Sequence, residues 1–159
     1  MLTKPRILLL VHRVPFPPNR GDRVRSWQLV QWLAARSILD LATLADEPVP
    51  DETWTTLRSL CRRVAIEPIG GPVRWLRAAK SLATGRSATE GLFASGRLRD
   101  TVDAWSRQER YDAAFVFCSS MAPYLTCRGL SHVPLVVDFV DVDSQKWRDY
   151  AAKTCGIKR

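Results

Sequence analysis

Five short apolar blocks, separated by turn-forming residues and amphipathic stretches, set the reading of this chain. Ile7-Leu8-Leu9-Leu10-Val11 is continuously apolar, as expected of a strand buried on both faces. Pro15, Pro17, Pro18 and Gly21 then force a loop, because proline fixes φ and withholds a backbone donor. Asp22 offers an N-cap to a helix carrying Val24, Trp27, Val30 and Leu33 at roughly helical spacing. Ile38 to Leu44 reads as a second strand, and Glu52 to Arg62 as a helix after the acidic, proline-containing turn at Glu47 to Asp51. Val64-Ala65-Ile66 is a third strand, ended by Pro68-Ile69-Gly70-Gly71-Pro72.

Val73 to Ala83 predicts a helix with Leu76, Ala79 and Ala83 facing inward and Arg74, Arg77 and Lys80 outward. The weakly patterned residues 84–97 predict a loop, and Leu98 to Arg110 a helix with Leu98, Val102 and Trp105 on one side. Ala113 to Phe117 is a fourth buried strand, Met121 to Arg128 a short helix and Leu135-Val136-Val137 a fifth strand. Ser144 to Lys153 is helical in pattern again. Strands and helices alternate, and the strands are solid apolar blocks. The expected fold is therefore α/β: a Rossmann-like parallel sheet flanked by helices, in a single domain over residues 1–159.

Length and composition agree with that picture. A chain of 159 residues should bury about 68–70% of its unfolded surface. Its 46% hydrophobic and 25% charged content excludes a disordered or collagenous chain. No apolar run approaches the roughly 18 residues of a membrane span, and the first residues lack a signal-peptide pattern. The four cysteines, Cys61, Cys118, Cys127 and Cys155, show neither CxxC nor zinc-like spacing. They read as free thiols of a reduced compartment, which predicts a cytoplasmic location.

The net charge of +8 changes the picture because it is concentrated. Residues 58–99 hold nine basic side chains against two acidic ones, whereas the flanking segments nearly balance. Such a local field favours anions; the plainer reading is a solvated helix face.

In an open parallel sheet, ligands bind beyond the carboxyl ends of the strands, and three such ends carry polar groups here. After the first strand come His12, Arg13, Gly21, Asp22 and Arg25, where a glycine admits backbone approach and a helix N-terminus offers amides to an anion. The segment is neither GxGxxG nor GxxxxGK[ST], and a rigid turn with solvated arginines is the plainer alternative. After the fourth strand, Ser119 and Ser120 can donate to a sugar or phosphate, or merely cap the next helix. After the fifth stand Asp138, Asp141 and Asp143, whose mutual repulsion calls for a cation, an arginine or a ligand hydroxyl among them. No histidine joins the three aspartates, so no metal site is expected. His132 reads as a loop residue without a role.

Three longer stretches carry a resemblance. Ile7 to Ser26 resembles the opening of family-4-like GT-B glycosyltransferases, more narrowly the sugar transferases of exopolysaccharide and PEP-CTERM/exosortase loci. The frames Tyr111 to Ala122 and Val136 to Trp147 are similar to the same group. That resemblance implies the N-terminal, acceptor-side half of a two-domain enzyme, with the donor-binding domain and its Glu-x7-Glu motif absent from this chain. It implies a nucleotide-sugar co-substrate, no metal or other cofactor, a glycan or lipid-linked acceptor, and retention of configuration.

By the same resemblance Gly21, Asp22, Arg25, Arg13 and Ser119 lie near the donor diphosphate, and His12, Asp138 and Asp141 near the reacting sugar. Arg74, Arg77 and Lys80 beside Trp75 would meet an anionic membrane, placing the protein on the inner face of the plasma membrane. Two other readings stand beside it. One is a non-catalytic Rossmann-like module that binds a nucleotide, glycan or anionic lipid headgroup. The other, a nucleic-acid binder, finds no helix-turn-helix, aromatic RNA-binding strand or zinc module to support it.

Overall fold

The computed structural model describes residues 4–140; the expected helix at 144–153, Asp141 and Asp143 lie outside the described residues. β1 (Arg6–Val11), β2 (Ile38–Ala45), β3 (Arg63–Pro68), β4 (Ala113–Phe117) and β5 (Leu135–Asp138) form one sheet in the order β3-β2-β1-β4-β5. All four pairings are parallel. The fold is thus the helix-flanked Rossmann-like sheet that the apolar blocks predict.

The alternation of side chains along β1 shows why both faces must be covered. Leu8 and Leu10 enter one core with Leu98, Val102, Val116 and Met121, while Leu9 and Val11 enter the other with Val30, Leu33, Leu41 and Leu57. The first core lies under α5 (Gly96–Gln108) and the second under α1 (Gly21–Arg36) and α2 (Asp51–Leu60). Each fully buried leucine removes enough apolar surface from water to contribute about 1.5–3 kcal/mol, before conformational entropy is counted.

Several expectations need correction. The N-cap of α1 is Arg20, so Asp22 sits inside the first turn, where a carboxylate still complements the helix dipole. Val24 is exposed, and Arg23 and Ser26 are buried in its place. A strict three-residue spacing falls behind a 3.6-residue helix by about 60° per step, which carries Val24 off the inner face. The presumed loop at 84–97 contains α4 (Ala88–Leu92), too short to show a period; Ser87 caps it by accepting a hydrogen bond from the Glu90 amide. The helix expected at Met121–Arg128 is a 3-10 helix over Ser119–Thr126. β5 is an edge strand with Leu135 and Val136 about half exposed, not a block buried on both faces.

The largest correction concerns α3 (Val73–Ala83). Leu76, Ala79 and Ala83 face solvent together with Val73, Trp75 and Leu82, while Ala78 and Ser81 are buried and Arg74 and Arg77 half-buried. The cause is a close helix contact. A Cβ on Gly91 of α4 would collide with the Arg77 carbonyl and the Ala78 Cα. Only the narrow side of α3 can approach so closely, and the wide apolar side is turned outward.

Candidate functional site

The strand order reverses between β1 and β4, and in such sheets the crevice beyond that switch point is the place for a ligand. Val11 is in register with Phe117, and Phe117 with Asp138, so the three following segments meet at one rim. His12 extends β1 into this rim. It is buried, stacks on Phe117 with ring centroids 6.0 Å apart, and meets the edge of Phe93 at 5.9 Å.

Burial and the neighbouring Arg13 charge lower the His12 pKa below its ordinary value of 6.5, so the imidazole is neutral at pH 7. Its Nδ1 is enclosed without a hydrogen-bond partner. Its Nε2 faces the Asp22 carboxylate across 3.6 Å. That gap is too long for a hydrogen bond and leaves Nε2 open to a third group.

Burial acts to raise the Asp22 pKa, but the Arg13 hydrogen bond and charge and the Arg23 amide outweigh it, so the carboxyl lies below its usual range. Arg13 lies between two carboxylates, donating to Asp22 at 3.1 Å and lying 3.2 Å from Asp46. Arg23 is buried against Glu47, and Arg20 also reaches Glu47. Arg25 runs from α1 across the Phe117 ring to Asp138 at 3.3 Å. This arginine is the cation that the aspartate stretch calls for, at least for Asp138. Four arginines at this rim, Arg13, Arg20, Arg23 and Arg25, thus face the carboxylates of Asp22, Asp46, Glu47 and Asp138. What the rim offers an anion is backbone. α1 begins at Gly21 without a side-chain cap, and the space a Cβ on Gly21 would fill is empty.

The β4 end adds a strained residue. Cys118 has φ 85° and ψ 134°, a region that costs a non-glycine residue about 1–3 kcal/mol. The Cys118 amide donates to the Asp138 carbonyl at 2.8 Å, which ties the two strand ends together. Ser119, half-exposed, opens the 3-10 helix, and its N-cap is Cys118 rather than a serine hydroxyl. Ser120 is buried and donates to the Cys118 sulfur at 3.3 Å. Asp138 Oδ1 accepts from the Val140 amide at 2.8 Å. His12, Arg13, Asp22, Arg25, Ser119 and Asp138 thus share one edge, and Asp141 lies outside the described residues. His132 is exposed in a loop.

Sequence reasoning missed a second feature beside this edge. A cavity of about 320 Å³ opens between α3, α4, the N-terminus of α5 and the 3-10 helix, with Arg77, Lys80, Arg86 and Arg99 in its wall. The only signal was the basic run at 58–99. Its walls depend on α4, which the weak pattern at 84–97 concealed. Among the described residues no group of three or more His, Cys, Asp or Glu side chains is placed to hold a metal ion.

No protein-family model matches the sequence, and no curated protein matches it. Among solved structures, the crystal structure of TcCGT1 in complex with UDP matches with a TM-score of 0.51 at 10% identity. The match covers 99% of this chain and 33% of that one, so the chain spans about a third of that protein's length. At such identity the likeness shows the fold alone, a helix-flanked parallel sheet. It does not extend to the family-4-like or exosortase-associated groups.

Proposed function

We propose that this chain is the acceptor-side domain of a GT-B glycosyltransferase that works with a second, donor-binding domain. The observation that carries the reading is the neutral, buried His12 at the switch point, with Nε2 3.6 Å from a carboxylate. A neutral imidazole beside a fixed carboxylate is suited to take a proton from an acceptor hydroxyl. Asp22 then stabilises the imidazolium that forms.

The hydroxyl oxygen bonds to the anomeric carbon as the bond to the nucleotide diphosphate breaks. The electron pair leaves with the diphosphate, whose charge the open amides of Gly21 and Asp22 would meet. Arg13, Arg25 and Ser119 line the path, and the Arg25–Asp138 pair holds the β5 end in place. Asp141 would follow Asp138 along the same segment.

The acceptor in this reading is lipid-linked, within exopolysaccharide or cell-surface glycan synthesis at the cytoplasmic side of the membrane. α3 supports it: Val73, Trp75, Leu76 and Leu82 are each more than half exposed, with the exposed Lys80 at the border of this face. Such a face suits an anionic bilayer, at about 1 kcal/mol per basic residue near the surface. No described helix is long and apolar enough to span a membrane.

The test is nucleotide release from nucleotide-sugars by the chain alone and joined to a donor-binding Rossmann-like domain. Turnover in the joined form alone, falling about 100-fold or more on His12→Gln, is the expected result. Nucleotide-sugar binding without turnover in either form favours a non-catalytic module and overturns the proposal.

A further inference from the structure

The charge at the switch-point rim is internally balanced, whereas the charge in the neighbouring cavity is not. Among the described residues no carboxylate lies within 4 Å of Arg77, Lys80 or Arg99. The one acid in the wall, Glu90, pairs with Arg86 at 3.9 Å. Three uncompensated cations around one concavity repel one another, and the arrangement is relieved when a polyanion enters.

The two arginines are also held in place. Arg99 donates to Thr126 Oγ1 at 2.9 Å and to the Pro123 carbonyl at 3.1 Å. Arg77 donates through Nη1 to the Ala94 carbonyl, while its Nε is buried without a partner. Tyr124 fixes the facing turn, donating to the Phe93 carbonyl at 2.6 Å and accepting from the Ser95 amide at 2.8 Å. That turn leads into α5, a helix of 13 residues whose N-terminus at Gly96 borders the cavity and adds the positive end of its dipole. The position a Cβ on Gly96 would occupy is empty, while the Leu98 amide of the same turn is capped by Ser95 Oγ at 3.2 Å.

From this arrangement we infer that the cavity binds a phosphate or diphosphate ester. Several separated cations suit a group with more than one negative charge, and guanidinium groups match phosphate oxygens in geometry. A volume of about 320 Å³ is large enough for a diphosphate or a sugar phosphate. Phe93 lines this cavity and packs against His12, so a bound phosphate sits one aromatic ring away from the switch-point crevice. Binding itself stands apart from the sugar-transfer reading. The assignment of the phosphate to the acceptor rests on that reading.

The test is calorimetric titration of the chain with inorganic pyrophosphate at physiological ionic strength. Saturable one-to-one binding is expected, weakened about tenfold or more by Lys80→Gln and by Arg99→Gln, and largely restored by Arg99→Lys. Among the described residues the Lys80 side chain makes no hydrogen bond; the residue bonds only through its backbone carbonyl, so its variant reads charge without disturbing the fold. Arg58→Gln, which alters an arginine lying over Trp54 outside the cavity wall, should leave binding unchanged.

A second arm separates the sources of the phosphate. Flotation with phosphatidylcholine vesicles containing phosphatidic acid, reversed by pyrophosphate, assigns the site to a lipid phosphate. Pyrophosphate binding without flotation assigns it to a soluble phosphorylated glycan. Absence of saturable binding, or an equal loss in Arg58→Gln and Lys80→Gln, overturns the site. Neither result touches the turnover assay of the joined domains, so the two proposals fail separately.

Discussion

His12 shows how one side chain joins stability to the proposed chemistry. Burial and Arg13 depress its folded-state pKa, so as pH falls through about 6.5 the unfolded chain takes up the proton first. Stability therefore declines with falling pH from 6.5 toward the lower folded value, and His12→Gln removes that part of the slope. Urea midpoints at pH 7.5 and 5.5 measure it: the difference should shrink in the variant. An unchanged difference would show that His12 does not titrate as its surroundings require. Little of this was legible in the sequence. Its position after β1 placed His12 at the ligand edge, but the spacing of Asp22, ten residues on, does not show that α1 turns back over the imidazole. The pairing of Arg13 with Asp46 and of Arg25 with Asp138 was hidden for the same reason, since these partners meet only through the sheet register and helix packing.

At the scale of elements, β1 and β2 were legible because they are buried on both faces and need no period to be recognised. The extent of α3 was legible too, but not its orientation, and α4 was missed. α3 has a clear amphipathic pattern, yet amphipathicity fixes only that two faces differ, not which one meets the protein. Gly91 decides it, and the glycine lies in a segment whose own helix is a single turn. The inverted face makes a sharp prediction. Leu76→Ala should change stability by about 0.5 kcal/mol or less, as for a surface position. An inward Leu76 would lose about 2–5 kcal/mol on the same substitution. Thermal or urea unfolding of this single variant distinguishes the two orientations.

Across the whole molecule, the two edges of the sheet differ in kind. At the edge opposite the candidate site, the buried Asp40 accepts from Arg62 at 2.6 and 2.9 Å and from the Tyr111 hydroxyl at 2.6 Å. The hydrogen bond to Asp40 raises the Arg62 pKa despite opposing burial, and burial together with Asp40 raises that of Tyr111. Burial and Asp40 also push Cys61 up to about 12, which keeps it a thiol. Glu109 ties Arg6, Arg62 and Arg63 into the same network, joining the entrances of β1 and β3. Asp40→Ala should cost about 3 kcal/mol in urea unfolding, because it strands a buried tyrosine hydroxyl and an arginine. Pyrophosphate affinity of the folded variant should be unchanged, since the network and the cavity share no residue.

The α3–α4 hairpin gives this molecule an unusual economy. It lends Arg77, Lys80 and Arg86 to the cavity wall, and its outer side carries Trp75, Leu76 and Leu82. One hairpin therefore bears both a grip for charge and a keel for grease. On the proposed reading, an amphiphile with a phosphorylated head and an oily tail would meet both on this one element, and its remaining end would approach His12 from the Phe93 side.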